Sequence, residues 1–347
     1  MSNTTEAARS SAALAPAPAP GAAPAPAPAP GGPKVSVCIP SFNGAPWIRA
    51  AIDSALAQDF ADLEVVVCDD ASTDETVEMA RGVGDARVRV IANGERVGMA
   101  RNWNRSVRES RGPYVKFLMQ DDRLAPDCVG RMLELMAADP GVGMVFCARD
   151  LDFDEPDDPW AVDFRERFGE LHARLGTLAR VNDGRVVFAA MRRDRFRDNM
   201  LGEPTAVMVS REALARLGLF NVETRQLTDL EMWLRIAYFY RVGFIAEPLV
   251  TFRVHAGSVS ASNNRSGLAW LDRVWLLEGL RSHPEIRESL SSGAGRRVRL
   301  LTCANAGKRL VSDGPRALPS HLRGLGRYLR FRLRRRGVDR LHEPLDG

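Results

Sequence analysis

From Val35 onward, short apolar runs alternate with segments whose apolar residues recur at helical spacing. A parallel sheet with crossover helices satisfies that alternation, and few other folds do. The runs fall at residues 35–40, 63–68, 88–92, 114–119 and 142–147. Between them, residues 47–58, 73–81, 99–110 and 126–138 carry the helical pattern, as in Ile48, Ala51, Ile52, Ala55 and Leu56. Residues 151–200 interrupt it with clustered Asp and Pro and then an Arg-rich helical stretch, which reads as an insertion. A further strand is expected at 206–209, a short helix at 211–217 and a helix with large aromatic residues at 230–240. Beyond Ser266 the chain reads as helix and loop up to a basic end.

With 347 residues and 45% hydrophobic side chains, the chain can bury the core of one large α/β domain with additions. The first 33 residues do not belong to that core, because the Ala-Pro alternation from Ala15 to Pro30 favours extended polyproline geometry and has no large side chain to bury. We expect a disordered leader. Its prolines preclude the apolar helical core of an export signal, so the expected location is cytoplasmic. No apolar run approaches the roughly 20 residues of a membrane-spanning helix. The five cysteines have no C-x-x-C pairing and are expected to be reduced, buried thiols. A formal net charge of +4 is not a nucleic-acid-binding composition. The excess is local, in Arg323, Arg327, Arg330, Arg332, Arg334, Arg335 and Arg336, interleaved with Leu325, Tyr328, Leu329, Phe331 and Leu333. That segment suits either a packed helical tail or peripheral contact with the anionic inner face of a membrane.

Acidic residues cluster at two predicted strand ends, where ligands bind in open α/β sheets. The first cluster is Cys68-Asp69-Asp70-Ala71-Ser72-Thr73-Asp74. A carboxylate here can accept the imide hydrogen of a base or a ribose hydroxyl proton, while Ser72 or Thr73 caps the next helix. Capping alone accounts for Asp74. The second cluster is Met119-Gln120-Asp121-Asp122, whose paired carboxylates suit a hard divalent ion bridging two phosphates and equally suit a surface turn. A nicotinamide dinucleotide site needs a Gly-x-Gly-x-x-Gly turn after the first strand, and here that turn reads Pro40-Ser41-Phe42-Asn43-Gly44-Ala45.

Val35-Ser-Val-Cys-Ile-Pro-Ser-Phe-Asn43, the Asp69-Asp70-x-Ser72-x-Asp74 turn, Gly98-x-x-x-Asn102 and Gln120-Asp121-Asp122 occur in an order that resembles family 2 glycosyltransferases of the GT-A fold. Gly202-Glu203-Pro204, residues 211–220, Thr228-Asp229-Leu-Glu231-Met-Trp-Leu-Arg235 and Arg253-Val-His255-x-x-Ser258 resemble later blocks of that family, so the likeness spans roughly 34–260. It implies an α/β fold of GT-A type, a Rossmann-like, mostly parallel sheet flanked by helices. The implied organisation is a leader at 1–33, a glycosyltransferase domain at 34–260 and a helical basic C-terminal extension at 261–347. Within the domain, 34–125 would be the nucleotide-binding half and 126–260 the acceptor half, with 151–200 on the acceptor side.

The implied activity is inverting transfer of a hexosyl-type sugar from a nucleotide-diphosphate sugar donor to an acceptor hydroxyl. The acceptor would be a saccharide or lipid-linked, and the setting cell-envelope polysaccharide or other glycoconjugate biosynthesis. A divalent metal, Mn2+ or Mg2+, is the implied cofactor. By the same likeness Pro40, Ser41 and Phe42 pack against the base, Asp70 with Asp69 beside it reads the base, and Arg101 lies near the nucleotide. Asp121 falls near the ribose, Asp122 on the metal and His255 near the diphosphate or metal. Arg253 either stabilises the leaving phosphate or pairs with a surface acid, and Glu203 is a further candidate. Asp229 matches the catalytic base. Thr228 stands where the family often has an acid, which leaves Glu231 as the other acid of that block. The competing reading is a non-catalytic nucleotide-sugar-binding module, which needs no positioned base.

Overall fold

The structure, a computed structural model, describes residues 31–255, 269–291, 326, 328 and 341–345. The Ala-Pro repeat, Cys303 and the arginines of the basic tail lie outside the described residues. The first half of the chain forms β1 (Val35–Ser41), α1 (Ile48–Leu56), β2 (Leu63–Asp69), α2 (Thr76–Arg81), β3 (Val88–Ala92), α3 (Met99–Glu109) and β4 (Tyr114–Phe117). The second half adds β5 (Arg123–Leu124), α4 (Cys128–Ala138), β6 (Val142–Phe153), α5 (Pro159–Phe168), β7 (Val181–Asn182), α6 (Gly184–Arg193) and β8 (Val207–Ser210). It closes with α7 (Arg211–Leu217), α8 (Thr228–Phe239), β9 (Arg241–Val254), α9 (Ala269–Leu280) and α10 (Pro284–Ser291).

The strands form one nine-stranded sheet in the order β3-β2-β1-β4-β8-β6-β9-β5, with β7 also on β9. β3, β2, β1 and β4 are parallel. β8 runs antiparallel between β4 and β6, so β6 resumes the first direction, and β9 lies parallel to it. β1, β2, β3, β4, β6 and β9 therefore point one way, and β5, β7 and β8 run against them. The sheet is mostly parallel, as the alternation of apolar runs and helical segments predicts.

β1 and β2 are buried along their whole length because helices cover both faces of the sheet. Successive side chains feed opposite cores. Val37 and Ile39 pack with Ile48, Ile52 and Met132 from α1 and α4. Cys38 and Phe117 face Trp103 of α3 and Trp233 of α8. Cys38, Cys68, Cys128 and Cys147 are free and buried, and burial pushes the Cys38 thiol up to about 12, so it is inert. No helix among the described residues is long and apolar enough to cross a membrane.

The long strand β9 is not evident in the sequence. Glu247 and Pro248 break its apolar run, and Pro cannot donate to a ladder. The sheet absorbs them at a register shift, where Cys147 faces Ile245 but Ala148 faces Pro248. Paired this way, β6 runs to Phe153, well past the 142–147 segment expected of it. The carboxyl ends of β1, β2, β4 and β9 then share one edge of the sheet. That edge gathers Ser41, Asp70, the 119–122 turn and His255.

Candidate active site

The chain leaves β1 through Pro40, Ser41 and Phe42, which line a pocket on this edge together with Asp70, Arg96, Met99 and Asn102. Gln120 fixes that loop from the facing turn. Its Oε1 accepts from the Phe42 N–H at 2.9 Å and its Nε2 donates to the Phe42 carbonyl at 3.1 Å. Only a glycine permits this approach, since a Cβ on Gly44 would stand 2.3 Å from Gln120 Oε1.

Asp70 sits in the pocket wall, but its carboxylate is already engaged. It accepts from Val97 N at 2.7 Å, Gly98 N at 2.9 Å and Asn93 Nδ2 at 3.1 Å. It thereby ties down the loop that carries Arg96, whose guanidinium lies 3.8 Å over the Phe42 ring. Two residues expected at the nucleotide stand elsewhere. Asp69 is 1% exposed and lies behind the wall. Its oxygens hold Ser41 Oγ at 3.0 Å and Ser72 N at 2.8 Å, which supports Ala71 at a left-handed φ of 58°. Arg101 emerges from a different side of α3 than Asn102 and approaches Glu343 at 4.0 Å instead of the pocket.

The adjacent acids of the second cluster diverge. Asp121 lines the pocket, and its Oδ2 meets His255 Nε2 at 3.0 Å, with the Trp47 ring tilted against the imidazole at a centroid distance of 4.5 Å. Asp122 points inward and is 1% exposed. One of its oxygens accepts from the Thr205 hydroxyl and the other from Arg253 N at 2.8 Å. Burial and the neighbouring charge of Asp121 push the Asp122 carboxyl well above the usual carboxylate range. The structure therefore turns Asp122, the acid expected on a metal, into the interior, and leaves Asp121, the acid expected near the ribose, as the one of the pair that lines the pocket. Thr205 also accepts from Met119 N at 3.0 Å, so its one hydroxyl braces both ends of the 119–122 turn.

Across the same pocket stands Asp229, in the first turn of α8, with Glu203, Arg225 and Gln226. Its Oδ1 accepts from Leu230 N at 2.7 Å and its Oδ2 from Asn199 Nδ2 at 2.8 Å. Burial pushes this carboxyl up to about 7; the charge of Glu203 adds to the rise, and the two hydrogen bonds oppose it. Glu203 is itself held by Arg149 at 2.6 Å. Arg253 reaches the pocket, but its guanidinium pairs with Asp154 and, at 3.6 Å, with Asp152. Glu231 is fully buried and outside the pocket, bonded to Arg235 Nε at 3.0 and 3.1 Å and to His342 Nε2 at 2.9 Å. Burial raises its proton affinity, but Arg235 and His342 outweigh that and bring its pKa down to about 2. Locked in this way, Glu231 cannot take a proton from a pocket ligand, which removes it as the alternative base.

Arg96, Asn199, Thr205, Arg225 and Gln226 are among the contributors that the sequence reading did not single out. Thr205 had a neighbouring signal in Gly202-Glu203-Pro204, and Arg96 one in Gly98-x-x-x-Asn102.

The sequence model of Glycosyl transferase family 2 matches residues 36–216, more than half of the chain. The chain belongs to glycosyl transferase family 2. An uncharacterised protein of Mycobacterium tuberculosis is 31% identical to this glycosyltransferase-family chain over 76% of its length and 80% of the relative's. Chondroitin synthase of Pasteurella multocida is 38% identical over 118 residues, 33% of this chain and 12% of that synthase. Among solved structures, S. aureus TarS 1-349 in complex with UDP-GlcNAc superposes with a TM-score of 0.59 at 14% identity, covering 85% of this chain and 80% of that 1-349 chain. The Pyrobaculum calidifontis mannosyltransferase in complex with GDP-Man and Mn2+ gives 0.50 at 23% identity, covering 87% and 83%. These likenesses show the fold, which is the GT-A type that the order of motifs implied.

Proposed function

We propose that this family 2 protein is an inverting, metal-dependent glycosyltransferase that moves a sugar from a nucleotide-diphosphate sugar to an acceptor hydroxyl. One observation carries the reading: a single pocket is lined by the Pro40–Phe42 loop and Asp70, by Asp121, and by Asp229 with its pKa raised to about 7. A carboxyl of that pKa is matched to proton abstraction near neutral pH. A binding module has no use for it.

Asp121 and His255 converge at the pocket, one carboxylate and one imidazole, both competent ligands for Mn2+. Among the described residues no group of three or more His, Cys, Asp or Glu stands ready to hold an ion by itself. The pair fits a cation whose remaining ligands are water and the donor's phosphates. The mannosyltransferase neighbour, bound to GDP-Man and Mn2+, supports the same reading. When bound, the cation would neutralise charge on the departing diphosphate. Asp121 and His255 would hold it, and Asp122 would stay inside as the brace of their turn.

The remaining steps belong to the chain's own side chains. Phe42 and Arg96 would enclose the base, in a loop kept in place by Gln120 and Asp70. Asp229 would accept the proton of the acceptor hydroxyl at the carboxylate edge not facing Asn199. Attack from that side displaces the diphosphate directly, which inverts the anomeric centre. The match to chondroitin synthase supports a role in assembling polysaccharide, with a saccharide or lipid-linked acceptor. Membrane contact through the basic tail rests on residues outside those described. The test is a panel of UDP, GDP and dTDP sugars with and without Mn2+. Metal-dependent turnover with an inverted product is expected; a retained configuration would overturn the mechanism, and binding without turnover would leave a binding module.

A further inference from the structure

α8, which presents Asp229, begins without a cap of its own, since Leu227 at its start has no side-chain acceptor. The acceptor comes from α9, beyond the 36–216 segment that the family model covers. Asp272 is 3% exposed and takes the backbone N–H groups of three consecutive residues. It accepts from Arg225 N at 3.1 and 3.2 Å, from Leu227 N at 3.2 Å, and from Gln226 N. Arg225 and Gln226 line the same pocket as Asp229. A buried carboxylate with several N–H donors makes stronger bonds than an ordinary neutral cap.

Two turns further along the same face of α9 lies Gly279. A Cβ there would stand 2.5 Å from Glu231 Oε1 and 2.7 Å from Asn221 Nδ2. Glu231 cannot move aside, because Arg235 and His342 both hold its carboxylate. α9 is thus registered against α8 at two points, Asp272 at the entry of the catalytic helix and Gly279 beneath it.

We propose that Asp272 is a positioning residue for sugar transfer: by holding the 225–227 backbone it sets the acceptor-side pocket wall and the helix start that presents Asp229. The inference rests on the reading of Asp229 as the base. If Asp272 were only a helix cap, its loss would lower the unfolding midpoint and leave the kinetics of the folded enzyme alone.

The experiment uses the full chain with Asp272→Ala and Asp272→Asn, the second keeping one oxygen acceptor and guarding against failure of the first to fold. Hydrogen exchange at amides 225–230 should quicken about tenfold or more in Asp272→Ala, and less in Asp272→Asn. With whichever donor the wild type turns over, kcat should fall about 100-fold in Asp272→Ala. Asp272→Asn should recover to within about tenfold of wild type. The Kd for UDP or GDP with Mn2+ should stay within about threefold, because the nucleotide wall is built from other residues. Unchanged exchange overturns the proposal, and so does faster exchange with wild-type kcat and KM. Failure of the glycosyltransfer reading looks different: a wild type that turns over no donor, with exchange at 225–230 still deciding whether Asp272 holds the loop.

Discussion

Asp229→Asn separates the energetic role of this carboxyl from its chemical one. Its pKa lies at about 7 in the folded chain against 3.8 for an ordinary Asp. A group whose folded pKa is raised lends stability that is complete below its unfolded pKa and is lost as pH rises through the folded one. For Asp229 that window runs from about pH 4 to about pH 7, and above it the ionised carboxylate costs the fold up to about 4 kcal/mol. Asparagine resembles the protonated form and escapes that cost. It loses the bond that Asn199 Nδ2 donates at 2.8 Å, an offset of about 1 kcal/mol. Urea unfolding at pH 8 should therefore find Asp229→Asn more stable than wild type, by up to about 3 kcal/mol. At pH 4.5 the two should nearly coincide or the variant should be slightly weaker. The same variant should have no measurable turnover and an unchanged affinity for nucleotide. A stability difference that is the same at both pH values would refute the argument, since it would mean that Asp229 titrates as an ordinary exposed acid.

Asp121→Ala or His255→Ala should weaken Mn2+-dependent nucleotide binding about tenfold or more by calorimetry, with little loss of stability. Asp122→Ala should instead lower the unfolding midpoint, because it strands the Thr205 hydroxyl and the Arg253 N–H in the interior. Glu231→Gln leaves Arg235 buried without its counter-charge and should cost about 3–5 kcal/mol in urea unfolding at pH 7. Because the Glu231 pKa is lowered to about 2, its contribution in the wild type is complete above about pH 4.5 and fades as pH falls towards 2, so the gap between variant and wild type should close in acid.

The parallel half of the fold was legible because β1 and β2 are apolar at most positions and the helices between the strands keep a regular period. β9 was not, because a strand that accommodates Pro248 through a register shift has no local signature. The same division holds in the pocket. Asp70 and Asp229 sit where their motifs put them relative to a strand end and a helix start. The choice between Asp121 and Asp122 depends on which way a turn rolls, and that turn is fixed by Thr205 from a distant stretch of chain. Arg101 and Glu231 are basic and acidic types in plausible positions, yet they lie one and two residues along their helices from the pocket-lining Asn102 and Asp229, and each finds a partner in the C-terminal segment 341–345. Asn199 and Asp272 act through contacts that no spacing in the sequence announces.

The most direct test is anomalous diffraction from Mn2+ in crystals of the full chain grown with UDP or GDP. The account predicts one ion in contact with both Asp121 and His255, between them and the diphosphate, with Asp229 facing the space beyond the last phosphate. An ion bound by Asp122, or a nucleotide lying away from the Phe42 and Asp70 wall, would contradict it.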